Sequence, residues 1–233
     1  MLSKIHVAIL DDHQSIIDGF IYRLSSDPAI QIDATATFGE DLEPMVADHD
    51  INVLLLDVSV PNSAENHNPF PILYVIPRLL QKYPSLNILI ISMFTQRTLI
   101  DALVDIGVSG YIFKDDQTSI QQLAKIVTTV ANGGIYFSPG AVRDVRKEQA
   151  SSILTPRQLE VLSLCNAQPD SDTTSLASKL GISGSTLRNL LSGAYLRLGV
   201  RTRAAAIAKA HELGIIPVFP KIAVGEDEVK KKP

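Results

Sequence analysis

Five polar residues stand where strands end, and together they could carry out phosphoryl chemistry. Asp57 follows the apolar run Val53-Leu54-Leu55-Leu56. That run is too short for a buried helix and reads as a strand covered on both faces. Asp11 and Asp12 close the apolar stretch 5–10, Ser92 closes 87–92, and Lys114 follows 110–113. An acid after one strand means little, because loops are polar. At the carboxyl ends of neighbouring parallel strands, however, all five converge on the crevice where open α/β sheets bind ligands. Three clustered carboxylates repel one another unless a cation sits among them, and an oxygen-rich set suits Mg²⁺. With the Ser92 hydroxyl and Lys114 ammonium beside them, the group is expected to accept a phosphoryl group. Asp57 is the expected nucleophile and the cations neutralise the transferred charge.

These residues need a sheet to position them, and the first half of the chain supplies its signals. Strand-like segments at 5–10, 30–37, 51–56, 87–92 and 110–113 alternate with helical spacing after residue 12 and at 41–47, 69–83, 95–106 and 119–131. Five strands alternating with five helices predict a five-stranded parallel, doubly wound, flavodoxin-like α/β domain over 1–138. The pattern breaks near Gly133-Gly134, and 139–152 reads as a linker.

The second half is helical. Thr155 with Pro156 and Gln158 forms a capping box. Asp172, Ser183 and Thr202 open further helices that stop at Gly181, Gly199 and Gly214. This is a small all-α helix-turn-helix domain over 153–215, whose third helix is free to enter a major groove. Leu187, Leu191, Ala194, Tyr195 and Leu198 form that helix's apolar face, and Ser185, Arg188, Asn189 and Ser192 point the other way. Arg and Asn read guanine and adenine edges, and hydroxyls hold phosphates. Ser183 stands at the helix N-terminus, where a phosphate is favoured. Lys179, Arg197, Arg201 and Arg203 are candidate phosphate-backbone contacts. The tail, 216–233, is expected to be partly disordered.

Charge divides the same way. Residues 1–140 carry 7 Lys and Arg against 16 Asp and Glu, while residues 151–214 carry 7 against 4. Only the second half suits a polyanion. Cys165 is the single cysteine, which excludes an internal disulfide. No apolar run approaches a membrane span and no signal peptide is visible, so a cytoplasmic protein without a membrane partner is expected.

Residues 4–138 resemble the receiver domain of bacterial two-component response regulators. The matching runs are Asp11-Asp12-His13, Leu54-Leu55-Leu56-Asp57, Ser92 and Gly110-Tyr111-Ile112-Phe113-Lys114-Asp115. Residues 154–213 resemble the LuxR-type DNA-binding domain through Leu154-Thr155-Pro156-Arg157, Glu160-Val161-Leu162, Leu180-Gly181-Ile182-Ser183, Thr186-Leu187-Arg188-Asn189 and Leu196-Arg197-Leu198-Gly199-Val200. The pair together is similar to response regulators of the NarL/FixJ type. That resemblance implies phosphorylation of Asp57 by a sensor histidine kinase, with Mg²⁺ held by Asp11, Asp12, Asp57 and the Ser59 carbonyl. It also implies Tyr111 as an aromatic that turns inward on activation, and a homodimer on double-stranded DNA formed through the final helix. Phosphorylation would unmask the helix-turn-helix. The chain departs from the family in a longer, glycine-free loop at 62–71, and in Leu190, where a histidine is frequent. The loop motivates an alternative: a dimeric DNA-binding regulator that is independent of phosphorylation. A phosphohydrolase would use the same acids, but no second acid follows Asp57 closely enough to serve as general acid. A regulator, not an enzyme, is therefore expected.

Overall fold

The computed structural model describes residues 4–141 and 153–217. Its sheet has six parallel strands in the order β2-β1-β3-β4-β5-β6. They are β1 Ile5–Leu10, β2 Ile30–Ala36, β3 Val53–Leu56, β4 Asn87–Ser92, β5 Gly110–Phe113 and β6 Tyr136–Phe137. The expected count was five. The sixth spans only two residues, paired with Gly110 and Tyr111 of β5, too few to show any periodicity in sequence.

Period-two alternation sorts the strand side chains into two cores. Ala8, Leu10, Leu54, Leu56, Ile88 and Ile90 face one side; Val7, Ile9, Val53, Leu55, Leu89 and Ile91 face the other. The first side is covered by α2 Leu42–Ala47, α3 Ile72–Lys82 and α4 Arg97–Ile106. The second is covered by α1 Gln14–Leu24, α5 Gln117–Gln121 and α6 Leu123–Ala131. The single helix expected over 119–131 is thus two, divided at Gln122.

The helix expected from residue 69 starts at Ile72, because the preceding loop is built as a small hairpin. Asn62 N donates to Asn68 O at 2.9 Å, and Phe70 N to Val60 O at 2.9 Å. Pro61 and Pro69 form an antiparallel bridge. Gly39 seats the hairpin: its amide donates to Pro61 O at 2.8 Å, and a Cβ on it would fall 2.1 Å from the Phe70 ring.

The four helices of the second half start at the predicted caps. They are α7 Pro156–Ala167, α8 Thr173–Lys179, α9 Gly184–Leu198 and α10 Arg203–Glu212. Both halves of the Thr155–Gln158 capping box are present, and Asp172, Ser183 and Thr202 each accept an amide of the following turn. Gly199 closes α9 with φ of 69°. Most of the expected linker lies outside the described residues. Its first three residues, 139–141, are helical, and Ala141 is buried. All but the start of the expected tail also lies outside them.

The two halves share one continuous core. Glu160 of α7 is clasped between Arg157 and Arg78 of α3, and the Arg78 guanidinium lies 3.7 Å from the centre of the Tyr74 ring. The Tyr74 hydroxyl donates to Lys179 O at 2.8 Å. Burial against the receiver half explains why α7 presents almost no polar stripe: even Gln158, Glu160 and Ser163 are buried.

Leu55→Ala would leave a cavity at the centre of the sheet, where that side chain is 1 % exposed. It should cost about 2–5 kcal/mol, read as a lower urea midpoint by circular dichroism. An unchanged midpoint would refute the packing described.

Candidate functional site

Parallel register brings the expected acids together. Asp57 N donates to Leu10 O and Lys114 N to Ser92 O, each at 2.9 Å, so the ends of β1, β3, β4 and β5 stay level. Asp11 is 1 % exposed and Asp57 5 %. Between them lies the Lys114 ammonium, 2.6 Å from Asp11 Oδ2 and 2.6 Å from Asp57 Oδ2. Burial is the main influence on the Asp11 carboxyl and pushes it above its ordinary range, although Lys114 opposes this. Burial acts the other way on Lys114, but Asp57 and Asp11 outweigh it and hold the ammonium above its ordinary value.

Asp12 is half-buried and holds a second position. Its Oδ1 lies 2.7 Å from His13 Nδ1, and His13 N donates to Asp11 Oδ1 at 3.1 Å. Ligand atoms of Asp11, Asp12 and His13 lie within 4.8 Å of one another, the spacing of a metal-binding group. Asp57 joins this group through Lys114. Ser59, expected as a carbonyl ligand, follows two residues on and donates its amide to Asp57 Oδ1 at 3.2 Å. Three carboxylates against one ammonium leave an excess of negative charge, and the donors are oxygens. That set fits a hard divalent cation. Sequence reasoning quoted His13 without giving its ring a role; its place directly after two acids was the available signal.

Ser92 is completely buried, and its Oγ accepts from Phe94 N at 3.4 Å. Tyr111 is turned inward and fully buried. Its hydroxyl donates to Phe94 O at 2.7 Å, and its ring meets Phe113 edge-on. Burial drives the phenol well above its ordinary range, so it stays a donor at any physiological pH.

On the helical half, Ser185, Arg188, Asn189 and Ser192 of α9 are all exposed on the side opposite its packed residues. The side chains are open to solvent, contrary to the expected masking, because the receiver half covers α7 and the end of α10. Ser183 is occupied as the cap, accepting Thr186 N at 3.1 Å. Leu190 is half-buried against the core, which explains an apolar side chain at that position. The expected backbone contacts divide. Arg201 is exposed, and Lys179 is exposed while donating to Gln168 Oε1 at 2.6 Å. Arg197 donates to Gln158 Oε1 at 3.3 Å, and half-buried Arg203 donates to Ser171 O at 2.6 Å. Arg203 therefore ties the loop before α8 to α10.

Comparison with known proteins places this architecture. No family model matches the chain. It is 29 % identical over 216 residues to the transcriptional regulatory protein MctR of Rhizobium johnstonii, covering 91 % of this chain and 96 % of that protein. It is 28 % identical over 212 residues to the nitrate/nitrite response regulator protein NarP of Escherichia coli, covering 86 % and 91 %. In sequence and architecture the chain is similar to response regulators of the NarL/FixJ type. Its fold is that of RcsB from Salmonella enterica serovar Typhimurium, solved on the rprA promoter with the phosphomimetic BeF3-. The TM-score is 0.62 at 22 % identity, over 89 % of this chain and 98 % of that one. The isolated receiver domain of RcsB matches 61 % of this chain and 99 % of its own length, with a TM-score of 0.53.

The raised Asp11 carboxyl gives a signed prediction. Its charged form is disfavoured in the folded protein, so it lowers stability above its raised value and no longer does so below its unfolded value. Asp11→Asn should therefore raise the urea midpoint at pH 7 in EDTA, with the gain fading toward pH 4 (about the unfolded carboxylate value). A loss of stability at pH 7 would show that the Lys114 pairing outweighs burial.

Proposed function

We propose that this chain is a DNA-binding transcriptional regulator, not an enzyme, acting in the cytoplasm and switched by phosphorylation of Asp57 by a sensor histidine kinase. The observation that carries the reading is the Lys114 ammonium set 2.6 Å from both Asp57 and Asp11 in a buried crevice. In transfer, an Asp57 oxygen forms a bond to phosphorus as the donor's P–N bond breaks. Asp11, Asp12, Asp57 and the Ser59 carbonyl are the residues that would hold Mg²⁺. The ion would supply charge neutralisation on the transferred group. Lys114 and the Ser92 hydroxyl then bind the phosphoryl oxygens. The exposed face of α9 would enter the major groove, with Arg188 and Asn189 reading base edges. Ser183, Ser185, Ser192, Lys179, Arg197 and Arg201 would contact phosphates, and a second copy would bind alongside. RcsB dimers on DNA support that assembly. Among the described residues no helix is long and apolar enough to cross a membrane.

Acetyl phosphate with Mg²⁺ should add one phosphoryl group, detected by intact mass. EDTA or Asp57→Asn should abolish the adduct. Labelling that survives Asp57→Asn would move the site, and no labelling at all would favour a phosphorylation-independent regulator. Arg188→Ala should weaken binding to a selected duplex by about 1–3 kcal/mol and relax preference at one base pair. Uniform weakening across sequences would make it a phosphate contact.

A further inference from the structure

The two halves meet along α7 and at the end of α10, where Thr98 Oγ1 of α4 donates to Leu213 O at 3.2 Å and the Gln96 side chain lies against Gly214. The outer face of α9 stays open to solvent from its first turn to its last. At 3.6 residues per turn, Ser185, Asn189, Ser192 and Leu196 lie on one stripe of that face. Three of them are polar. Leu196 is 83 % exposed, the most exposed large apolar side chain among the described residues.

Apolar surface stabilises a structure only when it is covered, so Leu196 contributes nothing to the chain alone. Leu190, the other unusual leucine of this helix, is half-buried against the core. Leu196 is therefore the one large apolar side chain that α9 holds out beside Arg188 and Asn189. Charge indicates what covers it. No acidic residue occurs on α9, Arg188 and Arg197 are exposed on it, and exposed Arg201 follows its end. A face of that kind suits a polyanion. The apolar group that a major groove offers is the C5 methyl of thymine. Leu196 stands eight residues after Arg188, about 12 Å along the helix. That distance matches about 3–4 base pairs of B-DNA.

We propose that Leu196 is a specificity-determining residue that selects thymine by packing on its C5 methyl, about 3–4 base pairs from the pair that Arg188 reads. This rests on the function proposed above and names a base that the chain prefers.

The test uses the full chain and the best duplex from binding-site selection with the phosphodonor-treated protein. A parallel selection with Arg188→Ala locates the pair that Arg188 reads. Each thymine of the half-site is then replaced in turn by deoxyuridine, which removes the methyl and keeps every hydrogen-bonding group. One replacement, at the stated spacing, should weaken the parent by about fourfold, the effect of uncovering one methylene-sized group. Leu196→Ala should bind the thymine duplex more weakly by at least that factor and should not distinguish thymine from deoxyuridine there. Leu196→Met, which keeps an apolar tip, should restore the distinction. Both variants should match the parent by circular dichroism, because the side chain is exposed. A selected site with no thymine at that spacing, or a Leu196→Ala variant that still senses the methyl, would overturn the proposal and leave the proposed function standing. Equal weakening on every duplex, with one copy sedimenting where the parent places two, would assign Leu196 to contact between copies and overturn it as well. A parent that binds no duplex in any state would overturn both.

Discussion

A lysine held between two buried carboxylates is the interaction on which the rest of this structure depends. Carboxylates buried as deeply as Asp11 and Asp57 call for a compensating charge, and Lys114 provides it from the end of a different strand. The pairing is also incomplete, since Asp12 adds a third carboxylate that the single ammonium does not neutralise. A site with one acid too many for its lysine is suited to take up a divalent cation and then an anion. A phosphoryl group on Asp57 would convert the charge pattern, not merely the shape, of the crevice.

Ser92 ends β4 and Tyr111 lies within β5, and both bond to Phe94. The turn after β4 leads directly into the helix whose first residues touch the end of α10. Elsewhere the halves are joined by Arg78 of α3, which with Arg157 clasps the buried Glu160 of α7. One contact follows the site closely in sequence and the other does not.

Much of this was legible in the sequence, for physical reasons. Residues 53–56 announced a central strand, because an apolar run that short, followed by Pro61 and Asn62, suits a strand covered on both faces better than a buried helix. Caps at Thr155, Asp172, Ser183 and Thr202 marked the helical domain, because their side chains complete amides that the chain itself leaves open. Convergence of Asp11, Asp57, Ser92 and Lys114 followed from parallel topology alone. The two-residue β6 and the break at Gln122 were not legible; neither is long enough to impose a period. The 61–70 hairpin was hidden because its pairing uses backbone groups and a Gly39–Phe70 contact distant in sequence. The contact between halves was equally hidden. Arg78, Gln96 and Thr98 read as ordinary surface residues until a second domain lies against them. For Arg203, a basic side chain that looked free for a phosphate is half-buried on a carbonyl of its own domain.

Lys114 occupies oxygens that a metal would also attract, so the central account is most directly tested by calorimetric titration of Mg²⁺ into the unmodified chain and into Lys114→Met. Removing the ammonium should leave a single Mg²⁺ site and tighten it by about tenfold, or about 1.4 kcal/mol. If neither protein takes up Mg²⁺, or if the variant binds it more weakly than the parent, the acids are not arranged around a cation and the account fails.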